Sequence, residues 1–168
     1  MFRFFDRRPK VGVLFVCMGN VCRSPTVEGV FRRHARNAGI EGLLRIDSAG
    51  THARLLNEPA DARALRAAAK RNYDLKKIRS RQFVERDFSD FHYVLAMDRH
   101  NLDAIQALRP ADHPGHVGLL LDFAPGSSLR EVPDPYYGGP EGFELVLDLA
   151  ESAMAGLVKE LQGRVGRP

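Results

Sequence analysis

The sequence predicts an α/β fold: a three-layer sandwich with a central four-stranded parallel sheet flanked by helices on both faces. Three observations carry this. Short continuous apolar runs, such as residues 11–16, have the length and composition of strands buried on both faces. These runs alternate with segments of helical period, the pattern of a parallel sheet. The first run leads through one tight loop straight into a helix start, which is where such sheets bind ligands.

Taken in order, residues 11–16 form the first strand. A helix follows to about residue 38: Pro25 suits its first position, Ser24 can cap it, Val27, Val30 and Phe31 recur at helical spacing, and Gly39 ends it. Residues 43–46 read as a second strand leading into Asp47-Ser48-Ala49-Gly50-Thr51, and residues 52–58, which lack any period, as a loop. A helix is expected over residues 59–72, with Pro59 near its start and Leu65, Ala68 and Ala69 facing inward. Phe83, Val84 and Phe88 suggest a helical turn on the core. Residues 92–97 give a third strand, and Asp98 caps a helix carrying Leu102, Ile105 and Leu108 that Pro110 stops. Residues 117–121 make the fourth strand. The last helix starts near Pro140, carries Phe143, Val146, Leu147, Ala150, Met154, Leu157 and Leu161 along one stripe, and is expected to end before Gly163. With no repeat or long linker, residues 11–162 read as one domain, residues 1–10 as a flexible N-terminal extension and residues 163–168 as a tail.

Composition narrows the function. At 168 residues, 44% hydrophobic and 27% charged, the chain suits one globular core and not a disordered class. No apolar run approaches the roughly 20 residues that span a bilayer, so no stable membrane insertion is expected. The alternation of Phe2, Phe4 and Phe5 with Arg3, Arg7, Arg8 and Lys10 lacks the long apolar region of a secretory signal. It suits a frayed terminus, with contact to an anionic membrane surface as the alternative. The net charge of +4 is spread along the chain, without the basic block of a nucleic-acid binder. Two cysteines in one loop make no disulfide framework and suit a reducing compartment, so a cytoplasmic protein is the expectation.

The chemistry concentrates in Cys17-Met18-Gly19-Asn20-Val21-Cys22-Arg23-Ser24. A loop of this size at a helix N-terminus turns several backbone N–H groups into one concave space, where the helix dipole favours an anion of phosphate size. Gly19 and Asn20 tolerate the left-handed backbone that such turns need. Arg23 adds a bidentate fork for two phosphate oxygens, and the same positive field favours a nucleophilic sulfur at Cys17. Ser24 can donate to that sulfur or serve only as the helix cap. Cys22, on the same loop, can close a disulfide with Cys17 under peroxide and so protect it from irreversible oxidation. A metal pair is the alternative, but the scattered His34, His52, His92, His100, His113 and His116 offer no further ligands at sensible spacing. No cofactor or metal is expected, because Arg23 and the loop amides supply the positive charge.

The Cys-x5-Arg signature within Val-Cys-Met-Gly-Asn-Val-Cys-Arg-Ser-Pro resembles the phosphate-binding loop of the low-molecular-weight protein tyrosine phosphatases. Three further stretches in the family's order extend the likeness over roughly residues 10–162: Asp47-Ser48-Ala49-Gly50-Thr51, Ala96-Met97-Asp98 with Asn101-Leu102, and Asp134-Pro135-Tyr136-Tyr137. The resemblance implies hydrolysis of phosphotyrosine proteins through a cysteinyl-phosphate intermediate, with Cys17 as nucleophile, Arg23 and the loop as clamp, and Asp134 as general acid. It also implies that Asn20 and Ser48 brace the loop and that Tyr136 and Tyr137 wall the pocket. The sequence departs from the family in two places: Arg54 or Leu55 stands where an aromatic rim residue is usual, and a supporting histidine is replaced near Ile78. On the same scaffold, protein arginine phosphatases usually carry threonine where Val21 stands, and thioredoxin-coupled arsenate reductases need cysteines downstream of Cys22, where this chain has none. A phosphate-binding module without turnover is the reading from another class.

Overall fold

The computed structural model describes residue 9 and residues 11–166; the expected N-terminal extension, with its membrane-contact alternative, lies outside the described residues except for Pro9, as do residues 167 and 168 of the tail. Four strands, β1 (Val11–Cys17), β2 (Leu44–Gly50), β3 (Tyr93–Ala96) and β4 (His116–Leu119), pair in parallel in the order β2-β1-β3-β4. Five helices accompany them: α1 (Arg23–Asn37), α2 (Ala62–Lys70), α3 (Asp87–Asp90), α4 (Arg99–Leu108) and α5 (Pro140–Val165).

β1 is buried at every residue, and its alternating side chains split between two cores. Val13, Phe15 and Cys17 join Val27, Val30 and Phe31 of α1 and Val146, Leu147 and Ala150 of α5. Leu14 and Val16 join Phe88 of α3, Ile105 of α4 and Val94 and Ala96 of β3. The period of two in β1 thus builds the three layers directly. Phe15 and Phe31 meet edge-on at 5.4 Å across the larger core.

Several boundaries differ from the sequence reading, each for a local reason. β2 runs on to Gly50 because Asp47, Ser48 and Ala49 continue the ladder opposite Leu14, Phe15 and Val16. The polar side chains there find partners, Asp47 with Arg81 and Ser48 with Glu28, so their polarity does not end the strand. α1 begins at Arg23, earlier than Pro25, with no side-chain cap; the Ser24 hydroxyl is engaged elsewhere. α2 starts at Ala62 under an Asp61 cap, while Pro59 pairs in a short bridge with Arg79. Phe83 lies in extended backbone bonded to Gly50, and the helical turn forms only at Asp87–Asp90. Two short 3-10 helices were not foreseen, Glu41–Leu43 and Leu120–Phe123, the second replacing the end of the expected fourth strand. α5 continues through Gly163 to the buried Val165, and Gly166 closes it in the left-handed region at φ +71°.

The chain leaves β1 toward β2 on one side and returns to β3 on the other. The carboxyl end of β1 is therefore where the winding reverses, the position at which open parallel sheets hold ligands. The loop from Cys17 to Arg23 occupies it.

Candidate active site

Cys17 closes β1 and Arg23 opens α1, and the turn between them is made possible by Asn20 at φ +56°. The Cys17 sulfur accepts the Asn20 N–H at 3.2 Å and lies 3.0 Å from the Ser24 hydroxyl. No side chain caps α1 and no acid stands in its first turn, so the positive end of its dipole is presented to the loop.

Behind the sulfur, polar groups lock the turn. Asn20 Nδ2 donates to Ser24 Oγ at 2.8 Å and to Ser48 Oγ at 3.0 Å, and Asn20 Oδ1 accepts the Arg81 N–H at 2.9 Å. Ser48 in turn donates to Glu28 at 2.6 Å, whose other oxygen takes two bonds from Arg32. Glu28 is buried, and burial pushes its carboxyl pKa up despite the Ser48 and Arg32 donors. Arg81 also bridges Asp47 and Asp87, which fixes the segment that supports Asn20. Gly50 supplies the floor: a β-carbon there would stand 2.6 Å from the Met18 carbonyl oxygen and 3.1 Å from the Asn20 nitrogen, so the loop can lie on β2 only because residue 50 has no side chain. The Thr51 and His52 N–H groups then bind the Cys17 and Met18 carbonyls at 2.9 Å each.

Arg23 is almost completely buried. Its Nη1 donates to Asp98 and to the Val132 carbonyl at 3.1 Å, and its Nη2 is 3.6 Å from Asp134. Burial opposes its charge, but Cys17, Asp98 and Asp134 outweigh burial and push its pKa up. Asp98 does two jobs, since its other oxygen caps α4 through the Asn101 N–H. Cys22 is the opposite case: burial first, then the charges of Asp61, Cys17 and Asp134, push its thiol up to about 12.

These elements enclose a cleft of about 380 Å³ lined by Cys17, Met18, Gly19, Val21, Cys22, Arg23, His52, Arg54, Leu55, Asp134, Tyr136 and Tyr137. Every residue expected at the site is thus brought together there or directly behind it. Asn20, Ser24 and Ser48 are buried supports, while Arg54, Tyr136 and Tyr137 stand on the exposed rim. Ile78, near which the sequence reading placed the replacement of a supporting histidine, is a core residue, and the Arg81 backbone N–H holds Asn20.

A family model described as low molecular weight phosphotyrosine protein phosphatase matches residues 12–166. The chain belongs to this family. It is 41% identical over 157 residues to the low molecular weight protein-tyrosine-phosphatase of Streptomyces coelicolor, covering 91% of this chain and 94% of the relative. The solved protein tyrosine phosphatase of Entamoeba histolytica, with Hepes in its active site, superposes with a TM-score of 0.87 at 36% identity, over 91% of this chain and 97% of that one. The YwlE arginine phosphatase, solved with a phosphorylated active-site serine, reaches a TM-score of 0.79 at 26% identity, over 90% and 96% of the two chains. The chain is a phosphoric monoester hydrolase of the low molecular weight tyrosine-phosphatase family.

Sequence reasoning missed three members of this phosphatase's site. Asp98 reads only as a helix cap, because its partner Arg23 is 75 residues away. Glu28 left one signal, a charge inside a helix segment otherwise apolar or small. Arg81 left none. Gly50→Ala is expected to displace the loop and to lower kcat/KM for p-nitrophenyl phosphate on the order of 100-fold, the cost of an ångström-scale misplacement, while the circular dichroism spectrum stays native. Undiminished turnover would show that β2 does not set the loop.

Proposed function

We propose that the chain hydrolyses phosphotyrosine in protein substrates, with Cys17 as nucleophile, Arg23 and the loop amides as phosphoryl clamp, and Asp134 as general acid. The observation that carries this reading is the convergence on one cleft of the Cys17 sulfur, the anchored Arg23 and Asp134. The sulfur forms a bond to phosphorus as the ester P–O bond breaks, and protonated Asp134 gives its proton to the departing phenolic oxygen. Water then attacks phosphorus and passes a proton to the Asp134 carboxylate, and the P–S bond breaks to return the thiolate. Asp98 and Val132 fix Nη1 of Arg23, so the guanidinium meets the equatorial oxygens already oriented. The Ser24 hydroxyl, 3.0 Å from the sulfur, stabilises the thiolate as it leaves.

Tyr136, Leu55 and Met18 give the mouth apolar walls that suit an aryl group. Arg54 replaces the usual aromatic rim residue, and phosphoarginine hydrolysis is the competing activity, supported by the structural likeness to YwlE. In the presence of chelator, the rate on phosphotyrosine peptides should exceed that on phosphoserine and phosphoarginine peptides; a phosphoarginine preference would transfer the assignment. Asp134→Ala should lower kcat/KM for phenyl phosphate on the order of 100-fold but affect the good leaving group of p-nitrophenyl phosphate far less. Equal slowing of both would refute the acid role.

Two thiols in one loop also support a reversible switch and a reducing, cytoplasmic setting. Peroxide converts the Cys17 thiolate to sulfenic acid; the Cys22 sulfur displaces its oxygen as water and forms the Cys17–Cys22 disulfide. Because burial pushes the Cys22 thiol up, its thiolate fraction, and so the closure rate, should rise steadily from pH 7 to pH 10. Mass spectrometry after a peroxide pulse follows the crosslink; sulfonic acid at Cys17 without a crosslink at any of these pH values would exclude the switch.

A further inference from the structure

Asp134 lies on an exposed loop: Tyr136 and Tyr137 stand out into solvent, and Tyr137 is 96% exposed. A general acid there must be held by something. The Asp134 Oδ1 accepts the Tyr136 N–H at 3.1 Å, so the orientation of the carboxyl depends on the Tyr136 peptide. The same residue is gripped through its carbonyl and its ring. Arg63, in the first turn of α2, donates from Nη1 to the Tyr136 carbonyl at 3.0 Å and stacks its guanidinium over the Tyr136 ring at 5.3 Å and the Phe143 ring at 4.8 Å. Among the described residues it gives the one hydrogen bond that reaches the backbone of residues 134–138 from outside that segment.

The other end of the same guanidinium is fixed. Nε and Nη2 bind the two oxygens of Asp61 at 3.0 and 2.9 Å, and the Asp61 N–H donates to the Val21 carbonyl of the phosphate loop at 2.8 Å. A continuous chain, Val21–Asp61–Arg63–Tyr136–Asp134, therefore connects the loop that carries the nucleophile to the group that protonates the leaving oxygen. The side chain of Arg63 is 38% exposed, so its pair with Asp61 adds little to stability, and its geometry is what matters. We propose that Arg63 is a positioning residue for the general acid, setting where Asp134 stands relative to Cys17. The proposal rests on the assignment of Asp134 as acid. Lysine cannot reproduce it, since one ammonium cannot fork onto Asp61, reach Tyr136 and stack together.

The test compares leaving groups in four variants. Arg63→Gln should lower kcat/KM for phenyl phosphate on the order of ten-fold, part of what a general acid supplies, and leave p-nitrophenyl phosphate within about two-fold. Arg63→Lys, which keeps the charge and a donor, should lie between Arg63→Gln and wild type on phenyl phosphate. In an Asp134→Ala background the Arg63→Gln change should have no further effect on either ester, because the group it positions is gone. Equal losses on both esters, or an additive loss in that background, would make Arg63 a fold residue and overturn the proposal. A leaving-group-blind Asp134→Ala would instead remove the acid assignment itself, and the proposal with it.

Discussion

The site depends on one residue in an unusual backbone conformation. Asn20 turns left-handed, and that single reversal aims its N–H at the Cys17 sulfur while its side chain reaches Ser24, Ser48 and Arg81. A β-branched or bulky side chain at this φ would clash, and aspartate would carry a negative charge beside the sulfur. Asparagine satisfies both demands and supplies donors and an acceptor at once. The turn persists because the Asn20 side chain is held from three elements: α1, β2 and the segment before α3.

Buried charge follows the same logic at two depths. Arg23 is taken out of water, which is tolerable because Asp98 and the Val132 carbonyl hold it in one orientation. In its proposed role the arginine needs no ordering before it meets a phosphoryl group. One layer back, Glu28 ties Ser48 to Arg32 and so connects the rear of the loop to the outer face of α1. Asp98 also caps α4, so the helix on one face of the sheet and the clamp on the phosphate loop share a carboxylate.

The architecture was legible wherever a pattern is local. The apolar run of β1, the stripe of α5 and the cap at Asp98 each announce themselves within a few residues, and the strand-loop-helix joint at Cys17 marked the site. What escaped was set by distant partners. β2 looked finished at residue 46 because Asp47 and Ser48 are polar, and only Arg81 and Glu28 explain how that polarity is buried in a sheet. Of the two roles the sequence offered Ser24, helix cap or partner of the Cys17 sulfur, only the fold could choose, and the loop claims its hydroxyl. Arg63 resembles any surface arginine until the fold brings residue 136 to it.

The proposed mechanism puts phosphorus on the Cys17 sulfur between the two halves of the reaction. Rapid quench of the protein in alkaline denaturant during turnover of a ³²P-labelled aryl phosphate, followed by peptide mapping, tests that most directly. The label should appear as an alkali-stable, acid-labile S-phosphocysteine on the peptide containing Cys17 and vanish in Cys17→Ala. Label on another residue, or continued turnover by Cys17→Ala, would contradict the account.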